Sequence, residues 1–153
     1  MEHISFDNGT REFSVGAGVL RFNPSDPNVY ARFMEASEKI QAVEEELVKK
    51  AQQLQTESEG ESTGETVLQL LVEADREAKK ILAWIFGSEN DFNQILGGAN
   101  LLAVANNGER IITNFIYALM PIIEEGAKRC AAEQRGAAVA QAKMNRAKRR
   151  GQK

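Results

Sequence analysis

The sequence predicts a mainly α (α+β) fold, with three to five helices, a small N-terminal β-hairpin or meander and a basic, flexible C-terminal tail. Three observations lead there. Apolar residues recur at helical spacing along two long segments beginning at Val29 and Val67, the pattern with which a helix buries one side. Short alternating runs flank the turn signals Asn8-Gly9 and Gly16-Ala17-Gly18, as in strands joined by tight turns. Residues 133 to 153 combine Ala, Gln, Lys and Arg with little apolar area, a composition that, in isolation, is disordered or a frayed helix. At 153 residues one domain is the default. It covers residues 1–132, opened by a β element over 1–23, and leaves 133–153 as the basic tail.

Within the β element, Ile4 and Phe6 alternate with polar neighbours before Asn8-Gly9, Phe13 and Val15 alternate after it, and Gly16-Ala17-Gly18 turns the chain into Val19, Leu20 and Phe22. A phosphate-binding loop does not fit Gly16 and Gly18, because no third glycine follows at the required spacing and no helix follows a strand there. NPSDPN then starts a helix: Ser25 or Asp26 can cap it, and Pro27 suits the first helical position, where a missing N–H costs nothing. Val29, Phe33, Ala36, Ile40, Val43, Leu47 and Leu54 form one stripe along this helix to about Gln55. Glu38, Lys39, Glu44, Glu45, Lys49 and Lys50 belong to the solvated side.

Residues 56 to 65, TESEGESTGE, read as a polar interhelical loop. A second helix runs from about Glu65 to Phe86, with Val67 or Leu68, Leu71, Ala74, Ala78, Leu82 and Ile85 inward and Glu73, Glu77 and Lys80 outward; Trp84 and Phe86 are expected to close the core. Gly87 ends it. Ser88 with Asp91 caps a short helix through Leu96, which Gly97-Gly98 breaks. Residues 99 to 108 form an apolar connector. The last helix is expected from near Asn107 to about Ala132, kinked or broken at Pro121. Its apolar residues occupy more than one face, so part of it is either central in the core or committed to a partner.

Residues with chemical potential are few. His3 is the single histidine and Cys130 the single cysteine, which excludes an internal disulfide and leaves no His/Cys cluster for a metal or a nucleophile-base pair. A solvent-facing His3 and an inert Cys130 thiol are expected. Asn8-Gly9-Thr10 matches the glycosylation sequon, but its turn role accounts for it. Glu44, Glu45 and Glu46 are consecutive and point in different directions from a helix, as a solvated face does. Glu73 and Glu77 lie on a polar face, where acid/base chemistry lacks the burial it needs. No catalytic residue, cofactor or metal is therefore expected, and the protein reads as a non-enzyme.

Charge is divided unevenly. Residues 1 to 127 hold 10 Lys/Arg against 21 Asp/Glu, net −11, while residues 128 to 153 hold 9 against 1, net +8. An acidic body with a basic tail suits head-to-tail association of copies as well as an external polyanion. The tail has no aromatic residue for base stacking, and the body repels nucleic acid, so a nucleic-acid arm is the second choice. The longest apolar run, Ile111 to Ile123, is 13 residues long, short of the roughly 20 that span a bilayer. With no secretory signal pattern at MEHISFDNG, the expectation is a cytoplasmic protein with no membrane partner.

The order of elements resembles a known group. FDNGTREFSV, then RFNPSDPN leading into a long charged helix, a helix ending WIFG, the apolar run ANLLAVANNGERIITNFIYALMPII and a basic ending look like the tail assembly chaperones of long-tailed (siphovirus-type) phages and prophages. KMNRAKRR is similar to an Asn-Arg-Ala-x-Arg-Arg stretch of such chaperones, carried here by Asn145, Arg146, Ala147, Arg149 and Arg150. The resemblance implies a non-enzymatic helper that coats the tape-measure protein and recruits tail-tube subunits; self-association is expected from the division of charge. In many members a programmed frameshift also yields a longer product. Its partner-binding residues are expected on the last helix, at Ile112, Phe115, Ile116, Leu119, Met120 and Ile123, and in the tail, at Asn145, Arg146, Lys148, Arg149 and Arg150.

Overall fold

The computed structural model describes residues 1–57 and 62–151. Its elements are β1 (Arg11–Val15), β2 (Gly18–Phe22), α1 (Pro27–Glu57), α2 (Ser62–Phe86), α3 (Phe92–Ile95) and α4 (Ile111–Gly151). This is the mainly α arrangement with an N-terminal hairpin.

β1 and β2 pair antiparallel with Val15 opposite Gly18, Phe13 opposite Leu20 and Arg11 opposite Phe22. The turn between them is two residues long, with Gly16 at φ +56° and no positive φ at Ala17, which suits a primed turn that takes glycine first. One face carries Phe13, Val15, Leu20 and Phe22 toward the core; the other pairs Arg21 with Glu12 at 2.9 Å in solvent. Ile4 and Phe6 are not in a strand and both are exposed. Their alternation finds no strand edge to pair with, so the third strand of a meander is absent among the described residues. The Asn8-Gly9 turn does form, with Gly9 at φ +78° and the Asp7 and Asn8 side chains accepting the Gly9 and Thr10 N–H groups. It leads an extended segment into β1 instead of joining two strands.

α1 starts as its sequence dictates: the Asp26 carboxylate accepts the Asn28 N–H at 2.9 Å, and Pro27 takes the first position. Val29, Phe33, Ala36, Ile40 and Leu47 are buried, with Val43 half-buried among them. They meet Ala74, Ala78, Leu82 and Ile85 of α2, and α1 with α2 forms the most extensive helix pair. Small residues at Ala36, Ala74 and Ala78 let the two backbones approach while Leu and Ile fill the space between, each worth about 2 kcal/mol on burial. The interhelical loop expected over 56 to 65 is shortened from both sides by α1 and α2, and its centre lies outside the described residues. Trp84 departs from expectation. It is 40% exposed, with the Lys39 ammonium 3.6 Å from its ring centroid. It joins the outer sides of α1 and α2, and Phe86 alone enters the core.

Beyond Gly87 the chain tightens through side-chain hydrogen bonds. Buried Asn90 accepts the Arg21 N–H and donates to the carbonyls of Arg21 and Phe86, which ties the free edge of β2 to the end of α2. Asp91 caps α3. A chain of rings runs Phe13, Phe22, Phe86, Phe92 and Phe115, at successive centroid separations of 5.0, 4.8, 6.1 and 6.4 Å, and so crosses from the hairpin through α2 and α3 into α4. In the connector, Leu101 and Leu102 are buried. Asp75 anchors it, one oxygen 2.8 Å from the Lys79 ammonium and the other accepting the Leu101 N–H at 2.8 Å.

α4 begins at Ile111, later than expected, because residues 104 to 110 close a small loop of their own. Val104 bridges to Arg110, and Gly108 turns the chain at φ +84°. The helix continues through Pro121 without a break. Pro121 is exposed, so the Tyr117 carbonyl that loses its helical donor opens to solvent. The helix also continues past Ala132 to Gly151, so the stretch expected to be disordered or frayed when isolated is helical as the continuation of α4. Extension of an existing helix needs no new nucleus, and Ala, Gln, Lys and Arg all favour it.

Asp75 holds both a buried ammonium and a buried connector, and its removal leaves Lys79 uncompensated. The variant Asp75→Ala is expected to lose about 3 kcal/mol of stability in urea unfolding. A loss below about 1 kcal/mol would show that the connector is held in place without Asp75.

Candidate functional site

α4 lies antiparallel to α1. Gly126 sits against Pro24 just before α1 begins, and the groove that follows is lined by Ser37, Gln41 and Glu44 of α1 and by Thr113, Tyr117 and Met120 of α4. A side chain at Gly126 would overlap the Pro24 carbonyl, so glycine is what permits this approach. The two helices diverge enough from that crossing to leave an open groove of about 300 Å³ between them, floored by Ile40, Ile112 and Ile116.

The groove is apolar at its base and acidic at its edge. Tyr117 is 65% exposed, Met120 and Ile116 are half-buried, and Met34 and Tyr30 on the same side of α1 are also exposed. Glu44 lines the groove half-buried, and no ion pair engages it among the described residues. The cleft between α1 and α2 is larger, about 370 Å³, but different in kind. Its walls balance Glu46, Glu73 and Glu77 against Lys50, Arg76 and Lys80, with Glu46–Lys50 and Glu77–Lys80 closed at 3.2 and 3.0 Å. Paired surface charges of this sort contribute little and attract little.

Past Cys130, α4 leaves the body. Every residue from Ala131 to Gly151 is exposed, and at 1.5 Å per residue this arm reaches about 30 Å beyond the last packed turn. Its side-chain hydrogen bonds among the described residues stay within the helix, from Arg135 to the Ala131 carbonyl and from Gln141 to Asn145. Lys143, Arg146, Lys148, Arg149 and Arg150 take part in no ion pair among the described residues.

The residues expected to bind a partner therefore separate into three sets. Ile112, Leu119 and Ile123 are at most 4% exposed and serve the core, so they offer no surface of their own beyond the Ile112 contribution to the groove floor. Phe115 packs on Phe92, whereas Ile116 and Met120 open into the groove. Asn145, Arg146, Lys148, Arg149 and Arg150 stand on the arm, far along the helix from the groove. Sequence reasoning missed the other wall. Ser37, Gln41 and Glu44 follow one another at spacings of four and three, a row along one edge of the α1 stripe. Tyr117, three residues before Met120, carried a similar signal.

His3 is exposed, Cys130 is half-buried, and no group of three or more His, Cys, Asp or Glu side chains converges among the described residues. No helix is long and apolar enough to cross a membrane among those residues. No family model, curated protein or solved structure matches the chain.

Because the arm makes no contact with the body, its removal leaves the core intact. A chain ending at Gly136, at high salt and low concentration where association contributes nothing, is expected to melt within about 2 °C of the full chain. Its far-ultraviolet helical signal should fall; a larger drop in melting temperature would mean that the arm folds back on the body.

Proposed function

We propose that the chain is a tail assembly chaperone of a long-tailed phage or prophage, a non-enzymatic cytoplasmic protein that binds the tape-measure protein, tail-tube subunits or both while the tail is built. The observation that carries the reading is the pairing of an open apolar helix groove with a separate, uncovered helical arm, on a chain whose order of motifs resembles that group. A tape-measure protein is a very long helical chain with apolar stripes of its own. A groove floored by Ile40, Ile112 and Ile116 and edged by Tyr117 and Met120 suits one such stripe, in the manner of an amphipathic helix laid into a hydrophobic groove. The basic arm adds a charged contact that speeds encounter and sets register more than it adds affinity.

A second reading rests on the arm alone. Arg146, Lys148, Arg149 and Arg150 project from several sides of the helix, as a sequence-independent phosphate binder allows. The arm lacks an aromatic side chain for stacking, and the body carries net −11 over residues 1 to 127. The chaperone reading is favoured for those reasons.

Co-expression with a phage tape-measure protein is expected to raise that protein's soluble recovery several-fold, and the exposed-site variant Tyr117→Lys is expected to abolish most of the gain. Unchanged recovery with the unaltered chain would sink the proposal. In a gel shift, the nucleic-acid reading requires tight binding at low salt that falls steeply as salt rises.

A further inference from the structure

We infer that the groove between α1 and α4 is a docking site for the basic arm of a second copy of this chain, so that two copies pair through antiparallel α4 helices. The inference goes beyond the proposed function, since it concerns the chain alone; the arm of a second copy and an outside helix compete for the same groove.

Groove and arm each lack what the other supplies. The groove has an apolar floor, an exposed Tyr117 and an acid, Glu44, with no ion-pair partner among the described residues. The arm is exposed along its whole length, carries a row of small residues at Ala138 and Ala142, and ends in a cluster of cations that form no ion pair among the described residues. A continuous helix carries the arm away from its own groove, so one chain cannot bring the two together. A second copy can.

The register follows from helix geometry. Thr113, Tyr117, Met120 and Glu124 recur at steps of four, three and four on the side of α4 that borders the groove, and the same row continues through Ala131, Ala138, Ala142, Asn145 and Arg149. Two copies laid antiparallel with Ala131 at the two-fold axis place Arg149 opposite Thr113, Asn145 opposite Tyr117 and Ala142 opposite Met120. Every contact then occurs twice, as an isologous dimer requires. Arg149 arrives beside Glu44 of the other copy, which joins Thr113 in lining the groove. Asn145 brings an amide N–H toward the Tyr117 carbonyl, which Pro121 has left without its helical donor. Alanine at 138 and 142 keeps the helices close enough for the larger Met120 and Tyr117 to fill the space between them. The seam from Thr113 to Arg149 extends about 54 Å.

Charge decides the occupant. The net +8 of residues 128 to 153 meets the net −11 of residues 1 to 127, so a second copy presents the complement at no cost in specificity.

The test is sedimentation of the purified full chain at low and high salt, without any other protein. A dimer at micromolar concentration, weakened as salt rises, is expected. Arg149→Glu and Glu44→Arg, both outside the core, should each weaken the dimer about tenfold or more, and the double variant should recover most of the loss. Ala131→Cys in a Cys130→Ser background should form an intermolecular disulfide under mild oxidation, and circular dichroism confirms that each variant is folded. A monomer at low salt, a dimer indifferent to Arg149→Glu, or a double variant no stronger than the singles overturns the inference.

Discussion

The functional geometry depends on one close approach, that of Gly126 to the Pro24 carbonyl at the entry to α1. It sets where α4 crosses the body. On one side of the crossing α4 and α1 run antiparallel with a groove between them; on the other, α4 has nothing left to pack on and becomes the arm. Even an alanine methyl at 126 would collide with backbone atoms, which cannot rotate away as a side chain can. Groove and arm are thus two consequences of a single contact, and moving the crossing by one helical turn would lengthen one at the expense of the other.

The remainder of the fold holds that crossing in place. The ring chain from Phe13 to Phe115 reaches α4 from the hairpin, Asn90 locks the hairpin to the end of α2, and Asp75 locks the connector that delivers Ile111. Ile112, Leu119 and Ile123 then seal α4 onto the core. Apolar burial supplies the gross stabilisation, and these few polar contacts select one arrangement among those that would bury similar area. What stays uncovered, Tyr117, Met120 and the arm, is therefore surplus to folding. Residues dispensable for the fold yet large and apolar, or clustered in charge, are where association is to be sought.

Helical periodicity made α1 and α2 legible, and turn chemistry made the hairpin, the Asp26 and Asp91 caps and the Gly97-Gly98 stop legible, because each is a local signal. The misreadings have non-local causes. Ile4 and Phe6 have strand spacing, but pairing needs an edge elsewhere in the chain. Trp84 lies near the end of α2, where it was expected to close the core with Phe86, while the helix angle it occupies faces Lys39 and solvent. The last helix could not be divided into core and surface by composition, since all its faces are apolar; only the position of α1 separates Ile112 and Ile123 from Met120 and Tyr117. The arm's helicity comes from being continuous with an anchored helix, which a reading of its residues in isolation does not include.

In the proposed mode of association the groove and the arm are used and the remaining surface is left untouched. Hydrogen exchange resolved along the chain tests it most directly, comparing the dilute full-length chain with the same chain mixed with a tape-measure protein, the proposed partner. The account predicts fast exchange from Ala131 to Gly151 when free, slowed at least tenfold on binding, with added protection at Thr113 to Met120 and little change in the hairpin or along the Glu73–Lys80 face of α2. Unaltered exchange in the arm, with protection gained at the hairpin or in the α1–α2 cleft, would contradict it.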